Sequence, residues 1–376
     1  MKIIPQWILI VVFGVFPLLS YSQDPFFSHF FNNRSQFNPA LTGIGGSLSF
    51  QAKQKSQWSR AGHPAYQSTT IGMEETILCH FLDYGFFFNY DKEGAGAFET
   101  FEPGGRIAAT LAFKNAPNFN IRIGASLKLG WKRLDFNQLI FSDQLDPRYG
   151  FTGQSSAFTP PDGGFVQTYL SPAAGIAFRW LSDERQAKVI DITAGAAVHN
   201  GLSVGDQLFG HTESVLGLDA RIPLRWNVFG DIKWYLVQNR TQFFSVNPQI
   251  LYQRQLDLSY LEAGAQFGFS RTFAIGLFYH HSETILEGVD DSNWFSINST
   301  VGIRLEKDRR MDLGLSYSTN ISGVRNIVGP IFELSATFHF KASPACSLFG
   351  TGDPTRSVIC PALGKTKNNK IYDNIW

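Results

Sequence analysis

Hydrophobic and polar residues alternate along most of this chain. In residues 331–340, IFELSATFHF, the side chains of Phe332, Leu334, Ala336, Phe338 and Phe340 fall on one side of an extended backbone. Glu333, Ser335, Thr337 and His339 fall on the other, because successive side chains of a strand face opposite ways. Met311, Leu313, Leu315 and Tyr317 repeat the pattern against Asp312, Gly314, Ser316 and Ser318, and so do the runs 106–114, 121–132, 190–199 and 297–305. One such strand would suit a soluble sandwich. Many segments of roughly ten residues, each with a wholly apolar face, are what a transmembrane barrel requires, with lipid on one side and the lumen on the other.

Cut at its Gly, Pro, Asn and Asp clusters, the pattern predicts about fourteen strands. They are 45–57, 66–79, 83–90, 105–115, 119–134, 165–181, 187–199, 220–237, 241–254, 257–269, 272–282, 294–306, 309–319 and 330–341. The links at Asn115, Ser182, Gln238, Ser270 and Glu306 are short, whereas 91–104, 135–164, 200–219, 282–293 and 320–329 are long. Outer-membrane barrels have short periplasmic turns and long external loops, and an even strand count returns both chain ends to the periplasm. The link 254–256 breaks this rhythm, being short where an external loop is due. An open edge in lipid costs several kcal/mol per unpaired backbone group, so closure is expected. The fold class read from the pattern is all-β: an antiparallel up-and-down transmembrane β-barrel of about 14 strands over 45–341. An N-terminal plug-like or periplasmic segment, 23–44, precedes it, and a C-terminal periplasmic tail, 342–376, follows.

Composition sharpens this. The chain has 35 Phe, 12 Tyr, 8 Trp and 35 Gly with only 17% charged residues, against about 25% in ordinary globular proteins. Trp131, Trp180, Trp226, Trp234, Tyr235 and Trp294 are candidates for aromatic girdles at the membrane interfaces. Lys2, an apolar run over 8–19 and Ser20-Tyr21-Ser22 read as a secretory signal peptide, 1–22, with Gln23 as the new N-terminus. The run is too short for a transmembrane anchor, and no other stretch approaches the roughly 20 apolar residues of a membrane helix. A net charge of +1 gives no reason to expect nucleic acid as a partner. Cys79, Cys346 and Cys360 lack zinc-site spacing. Cys346 and Cys360, close together in an exported tail, are candidates for a disulfide, with Cys79 left as a thiol.

Candidate chemistry is thin. Gly201-Leu202-Ser203-Val204-Gly205 matches a nucleophile-elbow pattern, but Asp206 to Gly210 offers no helix to follow it. His280 and His281 face opposite sides of one strand, so at most one can join a cluster with Glu283, or with His199 and His211. Asp290-Asp291 lacks the further oxygen ligands of a calcium loop. The glycines at 94–96 and 104–105 lack the Lys-Ser/Thr of a phosphate cradle. No catalytic, metal or cofactor residues are assigned, and no enzyme activity is expected. Arg106, Arg122, Lys128 and Lys132 fall on the lumen face, where they would favour anions in an open pore. Pairing with lumen carboxylates such as Glu262, Asp312 or Glu333 is the favoured reading. Asp146-Pro147-Arg148-Tyr149 has turn chemistry and marks an exposed loop.

Three stretches carry a resemblance to a known family. The mature start, DPFFSHFFNNRSQFNPALTGIGG, resembles the opening of the PorP/SprF proteins of type IX secretion, through Asp24, Pro25, Phe27, Phe30, Asn38, Pro39, Ala40 and Gly43. The segment containing Gln57, Trp58, Pro64, Tyr66 and Thr69 is similar to that family's Gln-Trp segment. Residues 127–151 are the most specific, with Leu134-Asp135-Phe136, then Asp143 and Gln144 within LIFSDQ, then Asp146, Pro147, Arg148 and Tyr149 within DPRYGF. The likeness spans the mature chain, and the C-terminus is longer than the family's. The resemblance implies an outer-membrane protein that helps secrete or anchor cell-surface adhesins, in some members for gliding motility. It implies as partners a secreted adhesin or other type IX cargo, outer-membrane lipid and a periplasmic peptidoglycan-associated component. The alternative on the residues alone is a transport barrel, porin-like or passing hydrophobic solutes.

Overall fold

The computed structural model describes residues 27, 34–45, 48–57, 66–76, 82–94, 98–113, 116–136, 139–159, 165–182, 189–201, 223–238, 243–270, 272–284, 291–306, 309–322 and 329–340. A short helix α1 (Arg34–Phe37) and a 3-10 turn (Pro39–Leu41) lead into the strands. These are β1 (Ser49–Gln57), β2 (Tyr66–Thr76), β3 (Leu82–Glu93), β4 (Phe98–Phe113) and β5 (Ala116–Leu134). A two-stranded hairpin, β6 (Leu145–Asp146) and β7 (Gly150–Phe151), interrupts the series. Then come β8 (Phe165–Leu181), β9 (Val189–His199), β10 (Arg225–Gln238), β11 (Phe243–Gln255) and β12 (Leu258–Gly268). The last are β13 (Phe273–Thr284), β14 (Ser292–Glu306), β15 (Arg309–Asn320) and β16 (Ile331–Phe340). All but β6 and β7 form one closed barrel. Neighbours pair antiparallel, and β16 returns to β1 from Ser49 opposite His339 to Gln57 opposite Ile331. The ring therefore has no edge, as a lipid environment demands.

Its polarity is inverted relative to a soluble protein. Ile123, Leu127, Ile297 and Leu334 are about half exposed on the outer face, whereas Arg122, Glu262 and His280 are buried inside. Only lipid makes the outer face favourable. Aromatic pairs mark its two borders. Phe101 stacks on Trp131 at 5.8 Å towards one end. Phe119 stacks on Phe113 at 6.0 Å and on Phe178 at 6.3 Å towards the other. From Phe119 to Trp131 the strand runs about 40 Å, or about 30 Å along the membrane normal at a tilt of ~40°. That is the thickness of a hydrocarbon core with its borders. Trp294 departs from its expected place in a girdle. It faces inward and stacks on His280 at 5.5 Å. Tyr235 likewise shares the lumen face of its strand with Asp231.

Strand positions agree with the alternation to within a few residues, with one larger difference. The stretch 91–104 was expected as a long loop, yet β4 begins at Phe98 and only 94–97 connects it to β3. Pro103-Gly104-Gly105 looks like a break. Pro103 instead faces outward, where its missing N–H interrupts the ladder to β5. Gly104 leaves room for the Phe87 ring, which lies 2.3 Å from where a Cβ would stand. The link between β11 and β12 is a tight turn through Leu256 (φ 52) and Asp257, so the rhythm of loop lengths is broken there as well. The loop 135–164 carries the β6–β7 hairpin. The signal region 1–22, Cys79, Cys346, Cys360 and the tail 342–376 lie outside the described residues.

A charge placed on the lipid face tests the inversion. Ile123→Arg is expected to lower the unfolding free energy in lipid vesicles by about 2–4 kcal/mol, read from urea titrations. Phe151→Arg, on the hairpin beyond the membrane, is expected to leave it unchanged.

Candidate functional site

Two features stand apart from the barrel wall: the segment 34–45 inside it and the excursion 139–159 beyond one end. The first is shaped by its own sequence. Asn38 caps the 3-10 turn, with Oδ1 accepting from Ala40 N at 2.9 Å, and Pro39 supplies the fixed φ that starts the turn. The Thr42 hydroxyl donates to Pro39 O at 2.8 Å, and Gly43 ends the turn at φ 70. The resulting wedge lies on a floor made by three glycines of adjacent strands. A Cβ on Gly124 would fall 2.3 Å from the Pro39 carbonyl carbon, one on Gly175 2.1 Å from Asn38 Oδ1, and one on Gly195 3.0 Å from Asn38 Nδ2. From this seat Asn38 Nδ2 donates to Ile176 O at 3.0 Å and Ala196 O at 3.1 Å, joining β8 to β9.

Arg122 clamps the wedge. Its Nε donates to Ala40 O at 2.7 Å, Nη2 to Thr42 O at 2.5 Å and to Asp83 at 2.7 Å, and Nη1 to Thr110 at 2.7 Å. Gly43 N donates to Glu74 at 3.0 Å. Ser35 also bonds Glu74 and accepts from Arg106 at 2.9 Å. On the far side Asn227 Nδ2 donates to Phe37 O at 2.8 Å, His199 contacts the same carbonyl at 2.8 Å, and Arg34 pairs with Asp231 at 3.4 Å. The apolar side of the segment, Phe37, Leu41 and Ile44, packs on Phe229, Leu251 and Tyr260, with Trp294 against that cluster.

The four lumen cations expected to pair are held by groups other than Glu262, Asp312 or Glu333. Arg106 pairs with Glu74, Arg122 with Asp83 and Lys128 with Glu102, while Lys132 lies over the rings of Phe98 and Tyr169. The reason is register. Glu74, Gly85 and Arg106 stand in one row across β2, β3 and β4, and the glycine lets the arginine reach over it. The three expected carboxylates serve local partners instead: Glu333 with Lys55, Asp312 with Arg310 and His339, and Glu262 with Tyr260 and His280. His280 faces inward, with Nε2 2.6 Å from Ser296 Oγ and Nδ1 2.8 Å from the Tyr260 hydroxyl. His281 faces outward, 2.7 Å from Asn293. Ser203, His211 and Asp290 lie outside the described residues. No group of three His, Cys, Asp or Glu stands ready for a metal among the described residues.

The excursion 139–159 contains the motif residues Asp143, Gln144, Asp146, Pro147, Arg148 and Tyr149 of the sequence reading. Asp146 accepts from the N–H groups of Arg148 (2.7 Å) and Tyr149 (2.9 Å), closing the β6–β7 turn, and Gly150 follows at φ 75. Gln144 Oε1 accepts from Phe141 N, and its Nε2 donates to Gln154 O. Asp143 accepts from Ala157 N at 2.6 Å and from the Ser156 hydroxyl. Phe158 packs on Phe136 and Phe141, fastening the excursion to the end of β5 beyond Leu134 and Asp135. Ile140 (59%), Leu145 (50%), Tyr149 (77%) and Phe151 (56%) are left exposed. Pro147 sits in the turn with Arg148, whose guanidinium lies 5.6 Å above the Tyr149 ring. Gln57 ends β1 opposite Tyr66 and Ile331. Asp24, Pro25 and Trp58 are outside the described residues. The sequence reading did not identify the glycine floor or the Arg122 clamp. Their one signal is a set of small residues at lumen positions, Gly124 on β5, Ala173, Gly175 and Ala177 on β8, and Gly195 and Ala197 on β9.

The Ala157 N–H and the Ser156 hydroxyl hold the Asp143 carboxyl below the usual Asp range. The stabilisation is complete above the ordinary Asp value of about 3.9 and is lost as pH falls through the lowered one. Hydrogen exchange should therefore show the Ala157 amide protected at neutral pH and opening only below about pH 3.9. Inside the barrel, Arg122→Met leaves Asp83 buried without its cation, and is expected to cost about 3–5 kcal/mol in urea unfolding.

Solved structures with similar architecture are distant in sequence. The chain is 12% identical to a Pseudomonas aeruginosa FadL homologue, covering 81% of this chain and 94% of that one with a TM-score of 0.39. For the CymD monoaromatic hydrocarbon channel the values are 10%, 82%, 92% and 0.41. For the β domain of the Bordetella autotransporter BrkA they are 8%, 78%, 98% and 0.37. No curated protein matches the chain. The family model of the type IX secretion system membrane protein PorP/SprF matches residues 19–338, and the chain belongs to that family.

Proposed function

We propose that this outer-membrane component of type IX secretion acts without catalysis, as a docking partner that helps secrete adhesins or anchor them at the cell surface, in the service of gliding motility where the organism glides. The observation that carries the reading is the excursion 139–159. Its backbone is braced by Asp143, Gln144 and Asp146, yet it presents Ile140, Leu145, Tyr149 and Phe151 to solvent. Exposed apolar side chains held on a braced loop, with Leu145 and Phe151 paired across its hairpin, favour a protein interaction site. The segment 23–44 is read as a plug and 342–376 as a periplasmic tail, which together with the turns offers a surface to a peptidoglycan-associated secretion component. The transport reading is the second choice, supported by the polar lumen.

Replacing Tyr149 and Phe151 together by Ser is expected to reduce surface-displayed adhesin at least fivefold, by antibody labelling of intact cells. The amount of folded barrel in the outer membrane should be unchanged. Normal display by that double variant would contradict the docking role of the excursion.

A further inference from the structure

The lumen holds polar groups that neither the interior segment nor the wall uses. On β11 the side chains of Asn247, Gln249 and Gln253 point inward and are 5–6% exposed. Asn247 Oδ1, Gln253 Oε1 and both amide atoms of Gln249 have no hydrogen-bond partner among the described residues. A buried amide left unmet is destabilising, by about 1–3 kcal/mol for each group. They are buried in this state, so a molecule from outside reaches them only once the contact beside them opens. From Asn247 to Gln253 they span about 20 Å of strand, or about 15 Å along the membrane normal at a tilt of ~40°. Three amides spread along that length form a rail rather than a single pocket.

The rail has one interruption. Between Gln249 and Gln253 stands Leu251, opposite Phe229 of β10. At that level the interior segment packs Phe37, Leu41 and Ile44 against Phe229, Leu251 and Tyr260. Elsewhere its attachments are polar and go to β2, β4, β5, β8, β9 and β10, from Glu74 round to Asp231. The segment is thus stapled to one side of the wall, and meets the β11 side through an apolar contact with polar groups above and below it.

We propose that this contact is a hydrophobic seal in a gated path for small neutral hydrophilic solutes, with the β11 amides as its rail. Amides offer both donors and acceptors and carry no charge, which matches sugar hydroxyls and neutral amides. An apolar constriction in an otherwise polar path closes by excluding water. Opening needs the loss of the apolar contact around Leu251 and Tyr260, while Asn38 and Arg122 keep the rest of the segment in place.

The test uses the purified full chain in liposomes, with heat-modifiable migration as the check of folding. Wild-type protein is expected to give swelling close to the lipid background in isosmotic glucose. Leu251→Ser in the wall, and separately Phe37→Ser in the segment, should each raise the swelling rate at least tenfold, with glucose at least fivefold faster than gluconate. Adding Gln249→Leu and Gln253→Leu to whichever seal variant folds should remove most of that gain. Folded seal variants that stay at background would overturn the proposal. So would glucose flux unchanged by the rail leucines, or gluconate passing as fast as glucose. None of these readings involves cargo, so the outcome is independent of the docking role.

Discussion

In a bilayer a strand has nowhere to put its N–H and C=O groups except on another strand, and this requirement organises the whole chain. It forces the sheet to close, which β16 does by pairing with β1 along its length. Closure in turn divides every strand into a lipid face and a lumen face, so the two-residue period of the sequence becomes an inside and an outside. The exceptions show how little slack there is. Pro103 and Pro248 enter strands only with outward-facing rings, and at both prolines the ladder to one neighbour is interrupted.

A closed ring of this size creates a second constraint, because its lumen carries charges that cannot be left alone. Lys128 finds its carboxylate on the next strand, Arg106 and Arg122 find theirs two strands away, and glycines such as Gly85 let side chains reach across. Replacing a carboxylate with an apolar residue here would strand a cation, at a cost of several kcal/mol. The interior segment is built into this network: Arg122 serves Asp83 and two carbonyls of the segment at once. The lumen wall and the segment therefore form one packed unit on the β2–β10 side, and Leu251 of β11 and Tyr260 of β12 meet the segment within its apolar cluster.

Much of this was legible in the sequence. Alternation placed every barrel strand, because a lipid-facing apolar stripe leaves no other arrangement for residues such as Leu313 and Leu315. Loop rhythm was less dependable. At β4 the run Pro103-Gly104-Gly105 has the composition of a turn, yet it packs as strand because Phe87 fills the space over Gly104. The Asn38-Pro39-Ala40 motif was visible, but its purpose was not. The glycines that receive it come from β5, β8 and β9, and nothing local in sequence links Gly124 to Gly175 or Gly195. Ion-pair partners were misassigned for the same reason, since register across strands, rather than charge alone, chooses them. Trp294 looked like an interfacial residue and turned inward because its parity in β14 matches Ser296 and Asn298.

The family places the protein in type IX secretion, and the docking role proposed within it rests on the braced apolar excursion beyond one end of the barrel. Its aromatic side chains stand out from a backbone that cannot collapse to bury them, which is the arrangement a docking surface needs. The most direct measurement is site-specific photo-crosslinking from position 149 in living cells, with the adducts identified by mass spectrometry. The account predicts a covalent adduct with a protein exported by the type IX system. Surface-exposed barrel whose position 149 yields only lipid adducts, or none, would contradict it.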